Sequence, residues 1–155
     1  MIQFAYGSNL DFNQVRARCP SVQFVARALL MDHRLCFSRY GSKWDCGVAS
    51  VEGANGDQVW GVVYEIADDD VPKMDTCEGF NPKRRQEQNS YNRVPVSVFL
   101  DGNAATPVTA FTYIAVPQPN PPLPNAKYRE TIVRGARAWK LPDDYLKILE
   151  AIRIS

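Results

Sequence analysis

Short apolar runs, each closed off by turn-forming residues, recur through the first two-thirds of the chain and narrow the folds open to it. Ile2–Tyr6, Val22–Leu30, Arg34–Ser38, Gly47–Val51, Gln58–Ile66, Tyr91–Leu100 and Val108–Val116 read as strands, several with period-two alternation. Gly53-Ala54-Asn55-Gly56-Asp57 reads as a hairpin turn, and Asp101-Gly102-Asn103 as another. Consecutive hairpins predict a largely antiparallel sheet, strongly curved or closed into a barrel. With a few helices beside that sheet, the expected class is α+β. A length of 155 residues without repeat or internal boundary fits a single domain over 1–155.

The helical signals are fewer. Asp68-Asp69-Asp70 offers an N-terminal cap, Pro72 fits a first turn, and Gly79 supplies a stop. Between them Val71, Met74, Asp75 and Glu78 share one helix face. Asn125 is placed to cap a second helix, with Tyr128, Ile132, Val133 and Ala136 as its inward stripe. A third is expected from Pro142 to the end, with Tyr145, Ile148, Leu149 and Ile152 on its apolar side. The proline-rich Pro117–Pro124 excludes helix and inner strand, and predicts an extended connection that fixes where the Tyr128 helix begins.

Charge excludes some function classes. Eighteen basic and seventeen acidic residues leave a net charge of +1, with no global field for nucleic acid or an anionic membrane. Arg16, Arg18 and Arg27 form no stripe interleaved with aromatics. No apolar run reaches membrane-spanning length, and the N-terminus lacks the pattern of a signal peptide. Cys19, Cys36, Cys46 and Cys77 lack zinc-ligand spacing, so no metal is expected, and reduced thiols in a cytoplasmic protein are the reading. His33 has no acidic or hydroxyl neighbour in sequence and reads as a satisfied or surface histidine.

Two segments carry candidate chemistry. A strand that ends in Gly7-Ser8-Asn9 turns sharply and can aim several backbone N–H groups at one anion, although most such turns are only turns. Glu78 lies on the face that Val71 and Met74 mark for burial, where a carboxyl without a fixed positive partner is pushed toward a general base's range. A helix boundary shifted by a residue or two would instead leave it solvated. Cys77, its neighbour, is turned away from it by the helical step.

Taken together, Phe4-Ala5-Tyr6-Gly7-Ser8-Asn9-Leu10 resembles the substrate loop of the gamma-glutamylcyclotransferase family, including its avirulence-induced-gene-like relatives. Met74-Asp75-Thr76-Cys77-Glu78-Gly79 is similar to the family's segment with the catalytic glutamate, and Val59–Tyr64 to the strand before it. Tyr91–Val96 and Pro124–Tyr128 resemble later segments with substrate-contacting tyrosines, so the likeness runs from Phe4 to about Leu141. It implies a small mixed, mostly antiparallel β-barrel flanked by helices, and release of 5-oxoproline from a gamma-glutamyl amino acid or amine without cofactor; a monomer or homodimer is expected. It further implies Glu78 as general acid and base, and Tyr6, Gly7, Ser8, Asn9, Leu10, Tyr91 and Tyr128 as substrate-binding residues. The amides would hold the substrate carboxylate or polarise its carbonyl, and the tyrosines would donate phenolic hydrogen bonds. A non-catalytic carboxylate-binding module is the competing reading. The polar, basic Gly79–Ser90 stretch departs from the resemblance: it reads as a solvated insertion, or as a lid in which Lys83, Arg84 or Arg85 meets a second substrate carboxylate.

Overall fold

A computed structural model describes residues 1–155. Five strands, β1 (Ile2–Ala5), β2 (Gln23–Gly41), β3 (Cys46–Glu65), β4 (Tyr91–Leu100) and β5 (Pro107–Ala115), close into a barrel in the order β1-β3-β2-β4-β5. Four helices flank it: α1 (Phe12–Arg18), α2 (Val71–Cys77), α3 (Ala126–Ala138) and α4 (Asp143–Glu150). All pairings are antiparallel except β1 with β5, where the ladder registers only Gln3 opposite Phe111. Beyond that pair two side chains bridge the seam: the Thr112 hydroxyl donates to the Phe4 carbonyl, and the Tyr6 hydroxyl to that of Tyr113.

Four of the expected strands merge into two. β2 and β3 form one long ribbon whose tip is the turn at Ser42–Asp45, with Asp45 at φ 54°. Gly53–Asp57 is therefore no hairpin but part of β3. The register slips there between Met31–Gln58 and His33–Gly53, and the Gly56 N–H donates to the Asp32 carboxylate at 2.9 Å. Turn residues serve a bulge as readily as a hairpin, because both need backbone in the left-handed region. Asp32 and Gly56 occupy it. The Asp101–Gly102 turn stands as expected.

α1 has no counterpart in the expectations. Asp11 caps it by accepting from the Asn13 N–H, but Val15 is its one buried residue, so it carries no apolar stripe to read. At α2 the expected acidic cap takes another form. Asp68–Asp70 wind a 3₁₀ turn of their own, and the Asp70 carboxylate holds Lys73 and the Ser21 N–H and hydroxyl. α3 begins where Asn125 accepts from the Tyr128 N–H, and its expected stripe is buried. α4 stops at Glu150, and Ile148, assigned to its apolar side, is 58% exposed. No helix is long and apolar enough to cross a membrane.

The proline-rich connection ties the ribbon to α3. The Gln118 N–H donates to Ser38, the Tyr40 N–H to the Gln118 side chain, the Gly47 N–H to Leu123, and the Asn125 amide to the Trp44 carbonyl. The tip of β2–β3 is thereby braced beside the N-terminus of α3, and both border the site.

Candidate active site

β1 ends in a 3₁₀ turn, Ser8–Leu10, that sits where β1 parts from β5. The Gly7 N–H has no protein acceptor, and the N–H groups that open a helical turn have none within it. Gly7, Ser8 and Asn9 line an inner cleft of ≈ 40 Å³ together with Tyr6, Glu78, Tyr91 and Tyr128. Leu10 does not join them: its N–H closes the turn onto Gly7, and its fully buried side chain faces α3. A Cβ at Gly135 would stand 2.6 Å from the Leu10 carbonyl carbon, so only glycine lets α3 pack this close. Leu10 anchors the turn instead of presenting a donor.

Glu78 closes α2, its N–H bonded to Met74, and the chain turns away through Gly79 at φ 68°. A side chain there would be strained and would meet Ser90 at 2.9 Å. The Glu78 carboxyl keeps 15% exposure and accepts from the Asn9 amide at 2.9 Å and from Arg18 Nη1 at 3.3 Å. The expectation of an unpaired carboxylate is thus corrected: Arg18, on the unanticipated α1, is its partner. Burial still raises the Glu78 pKa above the ordinary value, opposed by Arg18, Asn9 and Lys43 in that order. Asn9 is committed within the protein, since its Oδ1 accepts from Gln14 and Arg18 and its carbonyl from Tyr64. Its side chain positions the acid.

Asp75, on the same helix, is the more deeply buried carboxylate. It accepts two bonds from Arg93, at 2.8 and 3.1 Å, and one from the Tyr113 hydroxyl at 2.7 Å. This pins α2 to β4 and β5, and so fixes the height at which Glu78 meets the cleft. Its place on the helix face of Val71 and Met74 was the sequence signal for its burial; its partner Arg93 lies 18 residues on and gave none.

The three tyrosines differ in what they can offer. Tyr6 donates its proton to Tyr113, and Tyr91 donates to the Ala49 carbonyl at 2.7 Å. Tyr128 accepts from the Ala49 N–H at 2.9 Å, which leaves its own proton free for a ligand. Burial raises all three pKa values above the ordinary phenol, so they stay protonated. Tyr128 alone keeps the donor role expected of all three. Gln3 also lines the cleft, buried, with an Oε1 that meets no protein donor.

Outside the cleft, a larger cavity of ≈ 430 Å³ shares Ser8, Glu78, Tyr91 and Tyr128 and adds the ribbon tip. Lys83, Arg84 and Arg85 line neither space. Arg84 borders a separate hollow with Met1 and Phe80, and Arg85 pairs with Glu87 on the surface. Asn81 and Asn89 clamp the base of this loop by a backbone-to-side-chain bond of 3.1 Å. Cys77 is exposed at the rim, and all four cysteines are free thiols.

A barrel with a half-buried acid and a turn of free amides on one cleft has the make-up of a small-molecule enzyme site. Residues 58–149 match the AIG2-like family. The gamma-glutamylcyclotransferases of Bos taurus and Mus musculus are 31% and 30% identical, over 97% of this chain and 78% of each of those proteins. A solved structure described as gamma-glutamyl cyclotransferase superposes with a TM-score of 0.89 at 28% identity, covering 100% of this chain and 89% of that one. The chain belongs to this AIG2-like, gamma-glutamylcyclotransferase family of enzymes.

Proposed function

We propose that the protein releases 5-oxoproline from a gamma-glutamyl compound. One observation carries the reading: the Glu78 carboxyl, the Gly7–Asn9 turn and the free proton of Tyr128 all open onto the same cleft. The substrate's α-nitrogen attacks its own γ-carbonyl carbon, a five-membered ring closes, and the bond to the leaving amine breaks. Both reacting groups sit on one molecule, so a well-oriented conformer gains an effective molarity of about 10⁵–10⁸ M without a nucleophilic side chain.

The α-nitrogen sheds two protons on the way to the lactam N–H. Glu78 takes the first from the α-ammonium and returns it to the departing nitrogen. The second, lost as the ring closes, ends on the released amine, which leaves as an ammonium with Glu78 regenerated. Its burial supports this role by weakening its preference for the ionised form, while Arg18 and Asn9 keep it ionisable. The turn's amides hold the substrate's carboxylate or the developing oxyanion. Tyr128 donates to whichever oxygen lies nearest.

Incubation with a panel of gamma-glutamyl compounds, read by mass spectrometry for 5-oxoproline, tests the activity. Glu78→Gln keeps the shape and the bond from Asn9 but removes the base, and turnover should fall about 10²–10⁴-fold. Full turnover in that variant would refute the assigned role. Ligand-induced thermal stabilisation with no product from any compound would make the site a binding module instead.

A further inference from the structure

The inner cleft, at ≈ 40 Å³, is far smaller than the outer cavity of ≈ 430 Å³ that it joins at Ser8, Glu78, Tyr91 and Tyr128. A substrate whose ring-forming end sits beside Glu78 therefore extends its leaving portion into the outer cavity. The charged side chains that line this cavity are Arg18, Arg39, Lys43 and Glu78. Arg18 and Glu78 pair with one another, which leaves Arg39 and Lys43 without an acidic partner. Both cations belong to the end of the β2–β3 ribbon, the element braced by the proline-rich connection. The Arg39 guanidinium donates to the Val116 carbonyl at 3.0 Å, which fixes its base and leaves other N–H groups unpaired. Lys43 lies over the Trp44 ring, 5.6 Å from its centre. Partial desolvation against the cavity wall, and behind it the Arg18 charge, lowers the Lys43 pKa from the ordinary lysine value, a bias that an incoming anion would reverse.

We propose that Arg39 and Lys43 are specificity-determining residues that receive an anionic group on the leaving amine, so that substrates whose leaving portion carries a carboxylate are preferred over neutral or cationic amines. The inference rests on the gamma-glutamyl reading of the site. It moves the recognition that the basic Lys83–Arg85 loop suggested to a different element, one that borders the cavity. A guanidinium with several free donors and a mobile ammonium suit a carboxylate, whereas the second amine of a gamma-glutamyl diamine would face two like charges.

Three substrates that differ in the charge of the leaving portion separate the outcomes: gamma-glutamyl-alanine, its near-isosteric C-terminal amide, and gamma-glutamyl-putrescine. The wild-type kcat/KM is expected to be about ten- to hundredfold higher for the acid than for the amide, and lower still for the diamine. Arg39→Gln and Lys43→Gln should each reduce that acid-over-amide ratio. Lys43→Glu should move the preference toward the diamine. Lys43 is exposed, so its variants are expected to keep the wild-type melting temperature, and a selectivity ratio is insensitive to a uniform loss of folded enzyme. Equal turnover of acid and amide, or a ratio that the Lys43 variants leave unchanged, would overturn the proposal while the cyclotransferase reading stood. No 5-oxoproline from any of the three or from the wider panel would remove both.

Discussion

Replacing Arg18 by methionine isolates the charge that holds Glu78 in its ionised form. The two groups are 13% and 15% exposed and 3.3 Å apart. At that separation Coulomb's law gives about 1 kcal/mol for a dielectric of ~80 and about 5 kcal/mol for ~20. Loss of that attraction removes what favours the ionised carboxylate, so the Glu78 midpoint should rise. The folded-state value already stands above the ordinary 4.5 because of burial, and removal of Arg18 lifts it further. The sign for stability follows. Between the unfolded and folded values the native state binds a proton that the unfolded chain has released, so stability falls as pH rises through the folded value. Below the unfolded value the penalty disappears. The variant should therefore be destabilised most at pH 8, and its deficit should shrink toward pH 4. A carbon-13 titration of the Glu78 carboxyl, with Glu78→Gln to assign the signal, measures the midpoint, and urea unfolding at both pH values measures the deficit. A midpoint equal to or lower than the wild-type value would refute the pairing as the controlling interaction.

Other consequences are equally direct. Asp75→Asn leaves Arg93 and the Tyr113 hydroxyl without their anion and should cost about 3 kcal/mol in thermal unfolding, partly recovered when Arg93 is also replaced by methionine. Tyr128→Phe strips the Ala49 N–H of its acceptor, which should cost about 1–3 kcal/mol and speed hydrogen exchange at that amide. Gln3→Met removes a buried oxygen with no protein donor and should stabilise the fold by about 1 kcal/mol, seen as a raised urea midpoint; a lowered midpoint would mean that bound water satisfies that oxygen.

Much of this architecture was legible in the residues, and what was not has physical causes. Asn125 and Gly79 marked helix ends because capping and positive φ are local requirements that the backbone cannot evade. The Asp75–Glu78 face was readable because acids on the helix face that Val71 and Met74 mark for burial interrupt an apolar stripe. The ribbon was misread at Gly53–Asp57 because composition marks a left-handed residue but not whether the strand resumes on the same path. Arg18 stayed hidden because α1 rests on a cap and one buried valine, and so offers no periodicity from which to place its polar side chains. The donor roles of Tyr6 and Tyr91 were hidden for a different reason: their carbonyl partners are 107 and 42 residues away in the chain.

The thinly laddered join between β1 and β5 gives this barrel a loose stave. Two hydroxyls stand in for the main-chain rungs, and the glycine turn leaves the chain at that place. A compound wedged there would act as an added rung, gripping both edges at once. Occupancy should then be felt by the whole closed sheet, with tighter breathing and a higher melting point, while the helices on the outside keep their places.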